Sequence, residues 1–305
     1  MTPLKKFRDF IDEYYLPYAW QRVELSTYQN YNISLKLICE YIGNDRIGFI
    51  TKKTMLDLLE KLNKRGLAQN TIHGYFKLLN AIFNFAVKNK NITQNPCKGI
   101  WVKEVNSRAG AFTVEEVKTL LGYIKSKLPL IYLPVYLSVN TGMRRGEVLG
   151  LKWEHIDFVK KEISVLQSLC RTSECDVYIK SPKTAAGLRK IAISDDVAEI
   201  LKFEKEKGKS EYVVSGWNGG YMDPQYLTNH FSKAVKGAGV SKKRFHDLRH
   251  THASILLAAG VSIKLISERL GHGSIDITLK VYSHMLPNMQ HEAAERFSSI
   301  IKIDE

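Results

Sequence analysis

Asn140-Thr141-Gly142-Met143-Arg144-Arg145-Gly146-Glu147-Val148-Leu149 is the stretch on which the reading of this chain turns. An apolar helix runs into a glycine, and a new helix opens at once on two arginines. Such a corner joins helix to helix with no strand between them. It also sets backbone N–H groups beside a guanidinium, a combination that suits a phosphate. Glu147 follows Arg144 by three residues and shares its helical face. Taken alone, the corner reads equally well as a solvated charged turn.

Working outward from it, the chain is mainly α with a small antiparallel β-sheet, an α+β protein. Upstream, Thr113-Val114-Glu115-Glu116 is a capping box that opens a helical stretch continuing to Asn140. Downstream, residues 162–166, 176–179 and 190–193 alternate or run β-branched, which predicts a small antiparallel sheet. From Asp195 the pattern is again helical. The first hundred residues predict a four-helix bundle. Phe7, Phe10, Ile11, Tyr14 and Tyr15 make the first stripe, closed by Pro17. Ser26 caps the second helix, which carries Tyr28, Tyr31, Leu35 and Ile38 and stops at Gly43. The third covers 54–62, and Asn70 caps a long fourth through Val87, stopped by Asn95-Pro96. Residues 97–110, with Lys103 and Arg108, have no periodicity and read as a basic linker.

Hydrophobic residues make up 44% of the 305-residue chain and charged residues 25%, enough for two globular cores. Lys and Arg number 45 against 31 Asp and Glu, a formal net charge of +14 with pI near 9.4. The excess is shared: 16 basic and 8 acidic residues up to Lys103 leave +8, and 29 against 23 beyond leave +6. An enzyme of small metabolites gains little from this, whereas a protein displacing counterions from phosphates gains much. Cys39, Cys97, Cys170 and Cys175 form no CxxC pair and have no histidines at zinc spacing, so they read as reduced thiols. No apolar run reaches the length of a membrane span, and MTPLKKFRDF lacks a signal-peptide core. The expected compartment is the cytoplasm, with no membrane partner.

Two further clusters carry chemistry. In His246-Asp247-Leu248-Arg249-His250-Thr251-His252, a helix would point His246 and Arg249 the same way. Imidazole and guanidinium converging on one point suit a phosphate that gains charge in a transition state. The histidines lack an acidic third ligand at a helical offset, apart from an Asp247 expected to face elsewhere, so metal is not expected. The last cluster is Leu270-Gly271-His272-Gly273-Ser274, followed ten residues after the histidine by Tyr282. A lone tyrosine is ordinarily a core aromatic.

In combination these elements resemble the tyrosine recombinase family of phage and mobile-element integrases. That family's catalytic domain carries, in order, an Arg after a Thr-Gly-Leu/Met turn, a hairpin Lys, His-x-x-Arg, Leu-Gly-His and a Tyr. This chain supplies Thr141-Gly142-Met143-Arg144, Lys183-Thr184, His246-Asp247-Leu248-Arg249, Leu270-Gly271-His272 and Tyr282, over about residues 110–290. Each element alone is weak, and five in order are specific. The helical first part resembles the family's core-binding domain less specifically. The resemblance divides the chain into a helical core-binding, SAM-like DNA-binding domain at 1–103 and a catalytic domain with a C-terminal helix at 104–305. Many integrases carry a further N-terminal arm-binding domain; here the chain opens on the bundle, as in a shorter or truncated member.

The resemblance implies the roles. Tyr282 is the nucleophile and forms a 3′-phosphotyrosyl link. Arg144 and Arg249 hold the non-bridging oxygens, Lys183 protonates the leaving 5′ oxygen, and His246 and His272 move protons or hydrogen-bond the phosphate. Glu147 orients neighbouring cations. Lys180, Arg189 and Lys190 rival Lys183 nearby but read better as phosphate contacts or solvated charges, and Arg108 of the basic linker is a further DNA contact. No metal or cofactor is required, since two arginines replace the ion. Expected partners are double-stranded DNA at attachment or recombination sites, three further copies in a tetramer on DNA, and an accessory excision or DNA-bending factor. A bacterial or phage-encoded, nucleoid-associated protein is implied. An amphipathic segment at 289–301, with Ala293, Phe297, Ile300 and Ile301 apolar, docks on a neighbouring protomer or packs on its own domain. Two other readings compete. A type IB topoisomerase shares the chemistry, but the four-helix N-terminal part and small size argue against it. A DNA-binding regulatory protein with a degenerate site is opposed by the intact set of six residues.

Overall fold

The computed structural model describes residues 4–105, 110–172, 177–181, 187–208 and 210–282, with helical pieces at 294–295 and 297–299. Two compact units result, one built on residues 4–105 and the other mainly on the described residues from 110 onward.

In the first unit, α1 (Phe7–Phe10), a π turn (Ile11–Tyr15) and α2 (Leu16–Trp20) run on as one helical stretch. Pro17, expected to close the stripe, therefore lies inside it. Proline lacks an N–H and its ring clashes with the carbonyl four residues back, and the wider π turn just before it absorbs both defects. Next come α3 (Leu25–Ile42), α4 (Lys52–Lys64) and α5 (Gln69–Lys88). Ser26 falls in the first turn of α3, one helical residue past the Glu24 cap. Thr51 caps α4 by a reciprocal pair with Thr54, at 3.3 and 3.2 Å. Asn70 is not a cap: α5 starts a residue earlier, and the Asn70 Oδ1 accepts the Val105 N–H at 3.0 Å. Phe7, Phe10, Ile38, Leu58, Leu62, Leu79 and Phe83 form the core, with Phe7 and Phe83 stacked at 5.4 Å.

The second unit opens with α6 (Val114–Lys127), held by the expected capping box. The Thr113 hydroxyl accepts the Glu116 N–H at 3.1 Å, and the Glu116 carboxylate accepts the Thr113 N–H at 2.8 Å. Then follow α7 (Tyr132–Thr141) and α8 (Arg145–Leu149). The β residues form two sheets where one was expected. One has the order β1 (Ile156–Asp157), β2 (Glu162–Val165), β5 (Arg189–Ala192), with Ile163 opposite Ile191. The other is a hairpin of β3 (Ser168–Arg171) and β4 (Val177–Lys180). Both contribute to the main core: Ile163, Val165 and Ile191 enter it from the first sheet and Leu169 from the hairpin, whose other β3 residues are half-covered. The remaining helices are α9 (Asp195–Lys207), α10 (Pro224–Gly237), α11 (Asp247–Ala258), α12 (Ile263–Leu270) and α13 (Ile275–Tyr282). Val135, Leu137, Val148, Leu149, Leu201, Phe231 and Leu248 fill the core, and Ala253, Leu257, Ile266 and Leu270 make a smaller one under α11 and α12.

No described helix is long and apolar enough to cross a membrane. Of the segment 289–301, only 294–295 and 297–299 are described; they are helical, and Phe297 is exposed. Its apolar partners Ala293, Ile300 and Ile301 lie outside the described residues.

Phe83 is fully buried, so Phe83→Ala should cost about 3–5 kcal/mol through lost contacts and the cavity left behind. Hydrogen exchange should show faster opening of the α1 and α5 amides, with α11 unchanged. Unaltered α5 protection would mean that the Phe7–Phe83 stack does not hold the bundle.

Candidate active site

The site grows from the corner between α7 and α8. The Thr141 hydroxyl donates back to the Leu137 carbonyl at 2.6 Å and ends α7. Gly142 then turns with φ +67°, in the left-handed region. A Cβ there would come within 2.7 Å of both the His252 ring and the Leu270 side chain. The corner is thus pressed against α11 and α12, and only glycine permits the approach.

Arg144 follows in extended backbone as the N-cap of α8. Its N–H donates to Glu147 Oε2 at 2.8 Å and its Nη1 to Glu147 Oε1 at 2.7 Å. The Arg144 amide expected to meet phosphate is therefore occupied by a carboxylate, and what the corner presents is the guanidinium, 40% exposed. Glu147 itself is 4% exposed and also accepts from Arg189, whose side chain is 6% exposed, at 2.8 and 3.2 Å. Burial pushes the Glu147 carboxyl up, but the Arg189 hydrogen bonds and charge, then Arg144, outweigh it and hold it below the usual carboxylate range. Arg189 Nε also donates to the Arg269 carbonyl at 2.8 Å. Arg189, expected among the phosphate contacts, is thus buried on Glu147 and braces the site from behind.

Arg249, on the first turn of α11, is 2% exposed. Its Nη1 donates to the Gly142 carbonyl at 2.8 Å and its Nη2 to the Leu270 carbonyl at 2.5 Å. Arg144 Nη2 lies 3.4 Å from the Gly271 carbonyl. Both arginines therefore reach the loop that carries His272. There Gly271 is a left-handed C-cap of α12, and His272 Nδ1 sits 2.8 Å from the hydroxyl of buried Thr278. His246 caps α11, with its ring 5.2 Å from that of His250. His246 keeps an exposed edge, yet desolvation of its ring, then the charges of His250, Arg249 and Arg144, lower its pKa to about 4. His272 is lowered to about 4 by burial, then by Arg249 and Arg144. The charges of both guanidiniums thus act on each of the two imidazoles. Asp247 turns away, accepting the Arg244 N–H at 2.7 Å. Among the described residues no three His, Cys, Asp or Glu side chains could hold a metal ion.

The other expected residues are placed as follows. Lys190 is exposed, 3.6 Å from Glu162, and Lys180 ends β4 half-buried. Tyr282 is the last residue of α13, though its side chain lies outside the described residues, as do Lys183 and Arg108 entirely. His252, which closes the histidine cluster but was given no role, and Arg269, which no motif marked, hydrogen-bond each other directly behind Gly142.

Comparison with known proteins agrees with this layout. The profile of the phage integrase family matches residues 111–289. The chain belongs to this family of tyrosine recombinases. A phage integrase SAM-like domain profile matches residues 6–104 of the recombinase. Curated relatives include a tyrosine recombinase XerC-like protein of Caldanaerobacter subterraneus subsp. tengcongensis, 30% identical over 271 residues, covering 79% of this chain and 68% of that one. The ICEBs1 integrase of Bacillus subtilis is 28% identical over 287 residues, covering 90% of this chain and 78% of that one. The fold matches the Tn1549 transposon integrase, solved in complex with transposon right end DNA, with a TM-score of 0.84 at 21% identity over 96% of this chain and all of the other. It also matches a lambda integrase tetramer bound to a Holliday junction, with a TM-score of 0.72 at 22% identity, covering 91% of this chain and 77% of that one. The protein is a site-specific DNA recombinase.

The histidines set an acid limit on stability. His246, His252 and His272 titrate near 4 when folded against an ordinary 6.5, so between these values the unfolded chain binds more protons. Their contribution is complete above pH 6.5 and is lost as pH falls toward 4. Calorimetry should show Tm dropping through that window, with a smaller drop for His272→Asn. A Tm level from pH 6.5 to 4.5 would contradict the burial of these rings.

Proposed function

We propose that this recombinase cuts and rejoins double-stranded DNA at the recombination sites of a mobile element through a covalent bond to Tyr282. The phenol oxygen attacks a backbone phosphorus, the P–O5′ bond breaks, and a 3′-phosphotyrosyl link keeps the phosphodiester's energy for religation without ATP. Lys183 gives its proton to the leaving 5′ oxygen. His246 and His272, neutral at pH 7 in the free protein, are suited to take the phenol proton or to hydrogen-bond the phosphate. Arg144 and Arg249 stabilise charge growing on the non-bridging oxygens, and stabilisation of this kind is usually what lowers the barrier most. The observation that carries this reading is that both guanidiniums reach the end of α12 and the loop after it, which carries His272.

Both units carry net positive charge, which supports phosphate contacts from each. Assembly as a tetramer on two duplexes, action at the nucleoid and help from a DNA-bending or excision factor complete the proposal.

Tyr282→Phe removes only the nucleophilic oxygen, so on nicked suicide DNA it should bind normally and form no covalent adduct. An adduct at the wild-type rate would sink the assignment. Arg144→Lys and Arg249→Lys keep charge but lose the fork, and each should slow single-turnover cleavage roughly 10²-fold or more. Near-normal cleavage by either would remove that arginine from the phosphate.

The slope of log affinity against log salt should be about −0.9 per phosphate neutralised. It should be steeper for the full chain than for residues 104–305. Equal slopes would exclude the N-terminal unit from the duplex.

A further inference from the structure

Behind the catalytic corner lies a polar cluster that the roles above do not use. Arg269, on the last turn of α12, directs its guanidinium at three acceptors from three elements. Nε donates to His252 Nε2 at 3.0 Å, Nη1 to the Ala192 carbonyl at 2.9 Å, and Nη2 to the Asn140 carbonyl at 3.0 Å. The other nitrogen of His252, Nδ1, lies 2.8 Å from the Val139 carbonyl. No carboxylate enters this set of contacts. The Arg269 guanidinium is fixed by neutral acceptors alone, one of them an imidazole.

That arrangement dictates the state of His252. A ring nitrogen that accepts from a guanidinium must carry its lone pair, so the proton sits on Nδ1 and is donated to Val139. Burial, then the Arg269 charge, lowers the His252 pKa to about 4, in keeping with a ring that stays neutral. Protonation would set two cations 3.0 Å apart in a buried place.

The elements joined here are those that carry the two arginines. Val139 and Asn140 are in α7, directly before the turn that delivers Arg144. His252 lies one turn beyond Arg249 on α11. Leu270, next to Arg269, offers the carbonyl that holds Arg249, and Gly271 the one beside Arg144. Gly142 leaves 2.7 Å between a would-be Cβ and the His252 ring, so a shift of that ring moves the corner. We propose that His252 and Arg269 are positioning residues, a clip that requires the neutral imidazole and sets the separation of the Arg144 and Arg249 guanidiniums. Neither touches DNA. A misplacement near 1 Å at reacting groups can cost roughly 10²-fold in rate while leaving binding intact.

The inference rests on Arg144 and Arg249 gripping the phosphate, so the test carries that reading as its own control. His252→Phe keeps the ring's bulk and removes the acceptor; Arg269→Gln removes the fork; His252→Gln restores an acceptor toward Arg269. DNA affinity and single-turnover cleavage of nicked suicide DNA would be measured for these full-length variants, for wild type and for Arg249→Lys, with the folded fraction followed by circular dichroism. His252→Phe and Arg269→Gln should keep DNA affinity within about 3-fold while cleavage per folded molecule falls roughly 10- to 100-fold. His252→Gln should recover most of the rate. Cleavage per folded molecule at the wild-type level in His252→Phe, or no recovery in His252→Gln, overturns the clip. Normal cleavage by Arg249→Lys would instead overturn the reading of the arginines, so the two failures are distinguishable. Should His252→Phe not fold, Arg269→Lys keeps charge without the three-way fork, and the same loss of rate at unchanged affinity decides the matter.

Discussion

A carboxylate buried to 4% exposure cannot stand alone, and in this protein Glu147 governs what surrounds it. Removed from water, it must be paired and hydrogen-bonded. It takes the Arg144 N–H, the Arg144 guanidinium and both ends of the Arg189 fork. Those bonds start α8, aim Arg144 and tie β5 to the corner. Arg189 passes the constraint to α12 through the Arg269 carbonyl. One buried anion thus positions two of the guanidiniums of the site.

Positive charge gathers behind and beside the corner. Arg144 and Arg189 share the Glu147 carboxylate, Arg249 and Arg269 donate to backbone carbonyls, and the histidines stay neutral. In the proposed reaction a phosphate entering this space would meet donors already fixed by backbone carbonyls. Preorganisation of that kind is what makes electrostatic stabilisation effective, because little reorganisation remains for the moment of reaction. The same phosphate would favour protonation of His246 and His272, so imidazoles neutral in the free protein are poised to accept a proton once DNA is bound.

Much of this was legible in the sequence because the relevant signals are local. The Thr113–Glu116 capping box, the glycine of the corner and the Arg144–Glu147 spacing each depend on residues within one turn. What escaped depends on partners far apart in the chain. Nothing near Arg189 shows that its partner is 42 positions away, so it passed for a surface cation. His252 and Arg269 are separated by 17 positions and meet only because α11 and α12 pack together. The single expected sheet is two because β2 pairs with the distant β5 while β3 and β4 pair only with each other. Pro17 misled for a different reason: its rule assumes an α ladder, and the chain uses a π turn there.

The two arginines, alike in sequence logic, are physically unlike. Arg249 is 2% exposed and anchored by the Gly142 and Leu270 carbonyls, one from each side of the site. Arg144 is 40% exposed, and its strong bonds are to a residue in its own turn. A buried side chain held across two elements has almost no rotamer freedom left to lose, whereas a half-open one still has much. In the proposed reaction Arg249 would be the fixed wall against which a phosphate is oriented, and Arg144 the arm that adjusts to it. The wall is only as well placed as the elements bearing it. On the proposed mechanism, the contacts behind the corner matter for this reason as much as the residues that would face DNA.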